Sequence, residues 1–312
     1  MFIFEKKQKV FEIAGAKIGG QIGENPLFLI GSLFYKARKN NVLKNAKTGE
    51  FDAKLAKNLI NRQIGIAEKT GLNHGFDIGG GAESSDALIK LVEFVADKTD
   101  APILPGGPNA DIRAPAVKHF GEIGLTEQII YNSIEPHATK NEIEAIKESK
   151  ITSAICLAFH SRYIWPKDKL KLIIGDDKNE GLLDKAKRAG VDKILLDTAT
   201  LDVPSISINA RTIHMIKKEL GYPAGSGTHN ALQTWDKLKE FQKLDKSIKQ
   251  IKNVQVHTIP QALGSDFFLY GPIKHCEYIF PMMAMNEAVL TYNAMRFNKI
   301  SVNRDGPLFK IF

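Results

Sequence analysis

The chain has 312 residues, 43% of them hydrophobic, with 43 Lys and Arg against 35 Asp and Glu, a formal net charge of +8 and only two cysteines. That length and apolar content specify a globular protein with a substantial core, and they exclude a disordered chain or a disulfide scaffold. The lysine excess is concentrated in residues 140–193 and 237–252, among glutamates on expected helix faces, so it reads as solvated surface rather than a nucleic-acid groove.

Cys156 and Cys276 are far apart and belong to no CxxC or Cys/His ligand pattern, which points to a reducing cytoplasm. Cys156 sits in the apolar run Ile155-Cys156-Leu157-Ala158-Phe159 and is expected as a buried filler. No apolar span is long enough for a membrane helix, and residues 1–8 lack a signal-peptide core.

Taken in order, residues 11–20 predict two short strands around a turn at Ala14-Gly15, a hairpin able to close the floor of a barrel. Residues 27–32 are the first buried strand, followed by a Lys- and Asn-rich stretch over 36–49, too polar for core and long for a loop. Residues 51–70 read as a helix capped by Asp52 and ended by Gly71. A second strand over 74–78 leads through Gly79-Gly80-Gly81 to a helix capped by Ser84 or Ser85. A third strand at 101–104 runs into Pro105-Gly106-Gly107-Pro108, and Asp111 opens a short helix to Gly124. The fourth strand is 129–132 with a helix over 141–149, and the fifth is 152–159, followed by a loop holding His160, Arg162, Tyr163 and Trp165.

A Glu- and Lys-rich helix is then expected up to Gly190, the sixth strand over 194–197 and a helix over 205–220. Tyr222-Pro223-Ala224-Gly225-Ser226-Gly227-Thr228-His229-Asn230 has the composition of a ligand-facing loop leaving a buried strand, with Thr228 or Asn230 able to cap a long helical region over 228–251. An eighth strand over 266–270 ends in Gly271-Pro272, and an apolar helix follows from His275, with Met282, Met283 and Met285 read as core filler.

Eight apolar runs alternating with helices fit a single (β/α)8 TIM barrel over residues 1–312, with an N-terminal hairpin over 10–21 and a tail over 299–312 packed along the outside. A doubly wound open sheet is the structural alternative, but its first βα turn would need a glycine-rich fingerprint, and Gly31-Ser32-Leu33-Phe34-Tyr35 offers one glycine. In a barrel the polar strand ends meet at one mouth, which brings Asn132, Asp197 and the Ser226 to Asn230 stretch together. The histidines form no HxH or HExxH pattern, so no metal site is expected, and Gly225-Ser226-Gly227 is not the GxSxG elbow of a serine hydrolase.

Several of these segments, in the same order, resemble the H-subunit family of tetrahydromethanopterin S-methyltransferase. They are Phe11-Glu12-Ile13-Ala14 with Lys17-Ile18-Gly19-Gly20-Gln21, Leu29-Ile30-Gly31-Ser32, Tyr131-Asn132-Ser133-Ile134, Leu196-Asp197-Thr198, Gly221-Tyr222-Pro223 with Gly225-Ser226-Gly227 and His229-Asn230, and Leu269-Tyr270-Gly271-Pro272-Ile273. The resemblance implies a barrel like that of dihydropteroate synthase. It implies transfer of a methyl group from N-5 of a methyl-tetrahydropterin, with tetrahydromethanopterin or tetrahydrofolate as carrier, to the Co(I) corrinoid of a partner protein. It further implies a homodimer, a corrinoid protein or membrane-complex subunits as partners, and a cytoplasmic place peripheral to such a complex.

By the same likeness Asp197 would bind the amino and ring N–H edge of the pterin, Asp77 and Asn132 would join it, Ser226 would contact the substrate, and Asn230 would sit at the methylated nitrogen, with Asn230 and Asp197 as the catalytic residues. Carboxylates and amides suit the alternating donors and acceptors of a pterin edge. His229 is a candidate base or gate, against packing beside Trp235; His160, Arg162 and Trp165 are candidates to receive the pterin tail or the corrinoid, against a plain surface loop. One departure stands out. The family's third strand usually ends in Asp-Ser, whereas this chain has Leu104-Pro105-Gly106-Gly107, which leaves a different pterin, a carboxylate from elsewhere such as Asp77 or Asp111, or an altered activity as the alternatives. A binding subunit without turnover and another pterin-barrel enzyme, such as a pterin-forming synthase, are the competing functions.

Overall fold

The computed structural model describes residues 3–35 and 42–312. It begins with an antiparallel hairpin, β1 (Val10–Ile13) and β2 (Ala16–Gly19), turned at Ala14 and Gly15, both with positive φ. The first barrel strand, β3 (Phe28–Ser32), is buried throughout. Of the polar stretch expected as a long loop, residues 36–41 lie outside the described residues. The remainder of that stretch holds β4 (Leu43–Asn45), which pairs as a small hairpin with β5 (Glu50–Phe51) just beyond it.

Helix α1 (Ala53–Thr70) starts where Asp52 Oδ1 accepts the Leu55 N–H at 2.9 Å and stops at Gly71, whose φ of 70° is the left-handed turn glycine tolerates best. Then come β6 (Asn73–Asp77), α2 (Ser85–Ala96) capped by Ser84, β7 (Ile103–Leu104), and α3 (Ala110–Glu122), capped by Asn109 and not begun at Asp111. The fourth and fifth barrel strands are β8 (Ile130–Ile134) and β9 (Ser153–Leu157), separated by α4 (Lys140–Ser149).

The single helix expected up to Gly190 is interrupted. Helix α5 (Pro166–Ile174) ends at Gly175, a hairpin of β10 (Gly175–Asp176) and β11 (Asn179–Glu180) follows, and α6 (Leu182–Arg188) resumes. The cause is local: Asp176 Oδ1 accepts the N–H groups of Lys178 and Asn179, an Asx turn that outcompetes the helix.

The sixth strand is β12 (Lys193–Asp197) and its helix α7 (Ser205–Glu219). The seventh, β13 (Ala224–Ser226), lies within the glycine-rich stretch, so part of the expected loop is itself buried strand. The region expected as one helix is a 3-10 helix at Thr228–Thr234, then α8 (Leu238–Leu244) and α9 (Ile248–Ala262). Neither Thr228 nor Asn230 caps it; the 3-10 helix begins after Gly227 without a side-chain cap. The eighth strand, β14 (Phe267–Pro272), leads to α10 (Cys276–Arg296) and α11 (Pro307–Lys310).

Strand order is β7-β6-β3-β14-β13-β12-β9-β8, all pairs parallel, and parallel bridges from Ile103 to Ile129 and Gly106 to Asn132 close β7 onto β8. The sheet is therefore a closed eight-stranded barrel with its helices outside.

Inside it, Phe28, Ile30, Leu104, Ile130, Ile155, Leu195 and Phe267 pack together with Ile13, Ala16 and Ile18 of the hairpin, which plugs the floor. Burial of each large side chain stabilises by roughly 1.5–3 kcal/mol. Large and small residues alternate to fit the narrow interior: a Cβ on Gly75 would come 2.7 Å from Phe28 Cζ, and one on Gly225 2.7 Å from Phe267 Cγ.

At the floor the fully buried Lys217 donates to both carboxylate oxygens of Asp266, at 2.8 and 2.7 Å, and to the Gly20 carbonyl at 2.8 Å. Cys156 is buried as expected, but of the three methionines only Met283 is core, since Met282 and Met285 are about half exposed. Among the described residues no helix is long and apolar enough to cross a membrane.

Candidate active site

Side chains alternate along a strand, so the residue two places beyond an inward core residue also faces inward, one layer higher. Above Ile30 this is Ser32, above Gly75 Asp77, above Ile130 Asn132, above Ile155 Leu157, above Leu195 Asp197. Register levels them: Ser32 pairs with Asp77, Asp197 with Leu157, and Gly106 with Asn132.

This layer floors a cavity of about 600 Å3 at the C-terminal ends of the strands, where Asp77, Asn132, Asp197 and Asn230 are all part of the lining. The rest of the wall includes Tyr35, Phe159, Thr200, His229, Gln233 and Leu269. The chain thus brings four of its five expected substrate-contacting residues to one place.

Ser226 is the exception. It is fully buried behind the wall, sharing a 2.9 Å hydrogen bond with Thr200 and bonding Asp197. Asp111 is exposed and outside the cavity, so the second carboxylate of the wall comes from Asp77. His229 is not packed on Trp235. Its Nδ1 donates to the Leu269 carbonyl at 3.0 Å, because a carbonyl can only accept, and its ring seats against Gly271. Trp235 instead packs with Ile206, Leu232 and Val256. His160 packs at a tilt against His137 and edge-on to Tyr163, and is not part of the lining.

The two carboxylates have different surroundings. Asp77, 6% exposed, accepts the Ser32 hydroxyl at 2.6 Å, the Gly79 N–H and the Asn132 amide; burial still pushes its carboxyl above the ordinary range. Asp197, 7% exposed, is raised by burial to about 6, partly offset by the Ala199 N–H, by Lys169 and by Ser226. Burial lowers His229, so its ring is neutral at pH 7 and Nε2 is the nitrogen left as an acceptor.

Gly106 leaves room next to two of the lining residues. A Cβ there would lie 3.4 Å from Asp77 Oδ1 and 3.6 Å from the Asn132 amide, ordinary contacts. Within the Leu104-Pro105-Gly106-Gly107 stretch, Gly106 therefore lies directly beside Asp77 and Asn132.

Ser32, Thr200, Gln233 and Tyr35 also line the site, though only Ser32 has a readable signal in the sequence, as the last inward residue of an alternating strand. Lys169 has the sequence context of a solvated lysine and is only 6% exposed. Among the described residues no group of three or more His, Cys, Asp or Glu is placed to hold a metal ion. Both cysteines are buried and unpaired by disulfide, and neither lines the cavity.

Known proteins match the chain in both sequence and fold. The family described as "Tetrahydromethanopterin S-methyltransferase MtrH subunit" matches residues 6–302. The H subunit of tetrahydromethanopterin S-methyltransferase from Methanothermobacter thermautotrophicus is 36% identical over the full length of both chains. The H subunit of a putative mtx methyltransferase from Methanosarcina acetivorans is 34% identical over 93% of each. Among solved structures, the Yersinia pestis dihydropteroate synthase in complex with a pterine-sulfa conjugate superposes with a TM-score of 0.62, covering 90% of this chain and 99% of that one at 13% identity. At that identity the likeness shows the barrel alone.

Proposed function

Because the chain belongs to the H-subunit family of tetrahydromethanopterin S-methyltransferase, we propose that it moves a methyl group between N-5 of methyl-tetrahydromethanopterin and the Co(I) corrinoid of a partner protein. The observation that carries this reading is the convergence of Asn132, Asp197 and Asn230, from three distant parts of the chain, on one cavity with Asp77 in the same wall.

A pterin presents an amino group and a ring N–H side by side. Asp197 accepts from both in this reading, as an ionised carboxylate can. The Asn132 amide donates to Asp77, so its Oδ1 is the oxygen offered to the ring. Phe159 and Leu269 supply apolar surface to the flat heterocycle.

The N-5–CH3 bond breaks with its electron pair left on N-5 as the methyl bonds to cobalt, so N-5 must gain one proton, taken from solvent, to leave as the neutral N–H amine. Asn230, at the exposed edge of the cavity, supplies a hydrogen bond to N-5 directly or through one water, strengthening it as charge on N-5 changes. The reduced cobalt of the acceptor is the nucleophile, so this chain contributes binding and orientation and no covalent intermediate.

The decisive experiment follows methyl transfer from methyl-tetrahydromethanopterin to free cob(I)alamin by the loss of Co(I) absorbance, with methyl-tetrahydrofolate in parallel. Transfer from the methanopterin substrate is expected. Binding by calorimetry without transfer from either pterin would reduce the protein to a binding subunit, a reading motivated by the Pro105-Gly106-Gly107 stretch; protection by dihydropterin pyrophosphate alone would make it a synthase-like enzyme.

A further inference from the structure

Helix α5 places a lysine where its neighbours keep solvent out. The Lys169 ammonium donates to the carbonyls of Thr198 and, at 3.0 Å, of Ala199, the two residues that follow Asp197. Ala199 returns its N–H to Asp197 Oδ1 at 2.8 Å and holds a φ of 50°, in the left-handed region that alanine seldom occupies. Asn209 braces the same turn through the Thr198 hydroxyl, and Thr200 through Ser226. Two carbonyls alone do not repay the burial of a full positive charge; a neutral donor would satisfy them at much lower cost.

The negative charge that offsets part of it is Asp197, which makes no direct ion pair with Lys169 but is tied to it through the Thr198 and Ala199 carbonyls and the Ala199 N–H. Among the described residues no Lys or Arg lines the cavity. The titratable groups around Asp197 are Lys169 from α5, Asp77 from β6 across the floor, and the neutral His229 from the 3-10 helix. Burial lowers Lys169 to about 8 while Asp197 raises it, so it is still mostly charged at pH 7. Asp77 is held by Ser32, Gly79 and Asn132, neutral donors all.

We propose that Lys169 is a positioning residue for the Asp197 carboxylate: its buried ammonium locks the 197–199 turn and is the counter-charge that keeps Asp197 ionised inside the cavity. The consequence for substrate rests on the pterin reading above, but the coupling itself does not. Lys169 acts from behind the wall, through Asp197, and selects the ionised form that accepts two N–H donors.

The test compares Lys169→Gln, which retains a neutral donor for the two carbonyls, with Lys169→Met, which does not. The Asp197 carboxyl is titrated by 13C NMR in the ligand-free full chain, and the affinity for methyl-tetrahydromethanopterin is measured across pH. Both variants are expected to raise the Asp197 midpoint by about one pH unit or more, tenfold in the ionisation constant. With the parent midpoint at about 6, a one-unit rise should weaken pterin binding at pH 7 by about twofold and a two-unit rise by about tenfold, with affinity recovering as pH rises. An unchanged midpoint, or full rescue of midpoint and affinity by glutamine, overturns the proposal and leaves Lys169 a structural clamp. A raised midpoint with unaltered pterin affinity upholds the coupling and removes Asp197 from the pterin site. Should the methionine variant not fold, the glutamine variant decides alone.

Discussion

Replacing Asp197 with asparagine changes one atom and should separate binding from stability. Oδ1 is committed to the Ala199 N–H at 2.8 Å, so asparagine keeps its oxygen there and turns its NH2 toward the cavity. A donor then faces the donors of the pterin edge. One charge-assisted hydrogen bond is lost and a ligand donor is left unpaired, together about 2–4 kcal/mol, which weakens the dissociation constant roughly thirtyfold to a thousandfold.

Stability should move the other way. Burial holds the Asp197 carboxyl at about 6 against an ordinary 3.8, a penalty on the charged form of about 3 kcal/mol that already includes the attraction of Lys169. Because the folded-state value lies above the unfolded one, this penalty is fully present above pH 6 and vanishes below about pH 4. Asparagine escapes it, so the variant should be as stable as the parent or more so at pH 8, with the difference closing toward pH 4. The parent's affinity for the pterin should itself fall as pH drops through about 6, where Asp197 takes up its proton. Calorimetric titration and thermal unfolding at several pH values measure both effects. An unchanged dissociation constant would refute the ligand role, and a large loss of stability at pH 8 would show that Asp197 braces the fold instead.

Two further substitutions probe the frame that holds the site. Lys217→Met leaves the Asp266 carboxylate buried without the cation that bonds both its oxygens, and should cost about 3–5 kcal/mol in denaturant unfolding; a loss below about 1 kcal/mol would mean that the pair contributes little. Gly271→Ala places a methyl 2.5 Å from His229 Cδ2 at a φ of 91°. It should cost about 1–3 kcal/mol and, by displacing His229 from the Leu269 carbonyl, alter pterin affinity as well. Wild-type stability and binding together would contradict the packing described.

The barrel is legible in the sequence because each strand and cap has a local cause. Apolar runs such as Leu29-Ile30 and Leu195-Leu196, with Asp52, Ser84 and Gly71 at helix ends, leave few alternatives. Strand-end position likewise singles out Asp77, Asn132 and Asp197, since parallel strands aim their last inward residues at one mouth.

The features that sequence reasoning misses depend on tertiary contacts. Thr228 has the composition of a cap but bonds His257, a residue 29 places away on α9. Ser226 looks exposed among glycines, yet the short seventh strand draws it under Thr200. Lys169 and Lys217 have the same local composition as solvated lysines, and only the distant groups they meet, the carbonyls after Asp197 and the Asp266 carboxylate, distinguish them. The turn at Asp176 is readable from its Gly-Asp-Asp-Lys-Asn sequence, but the helical periodicity on either side obscures it.

The most direct measurement is a crystal structure of the protein with methyl-tetrahydromethanopterin bound. The pterin ring is expected across the cavity floor, its amino edge on Asp197, the Asn132 carbonyl against the ring, and N-5 within hydrogen-bond reach of Asn230 or of a water it holds. A ring bound outside this cavity, or inside it with the amino edge turned away from Asp197, would contradict the proposed role of the site.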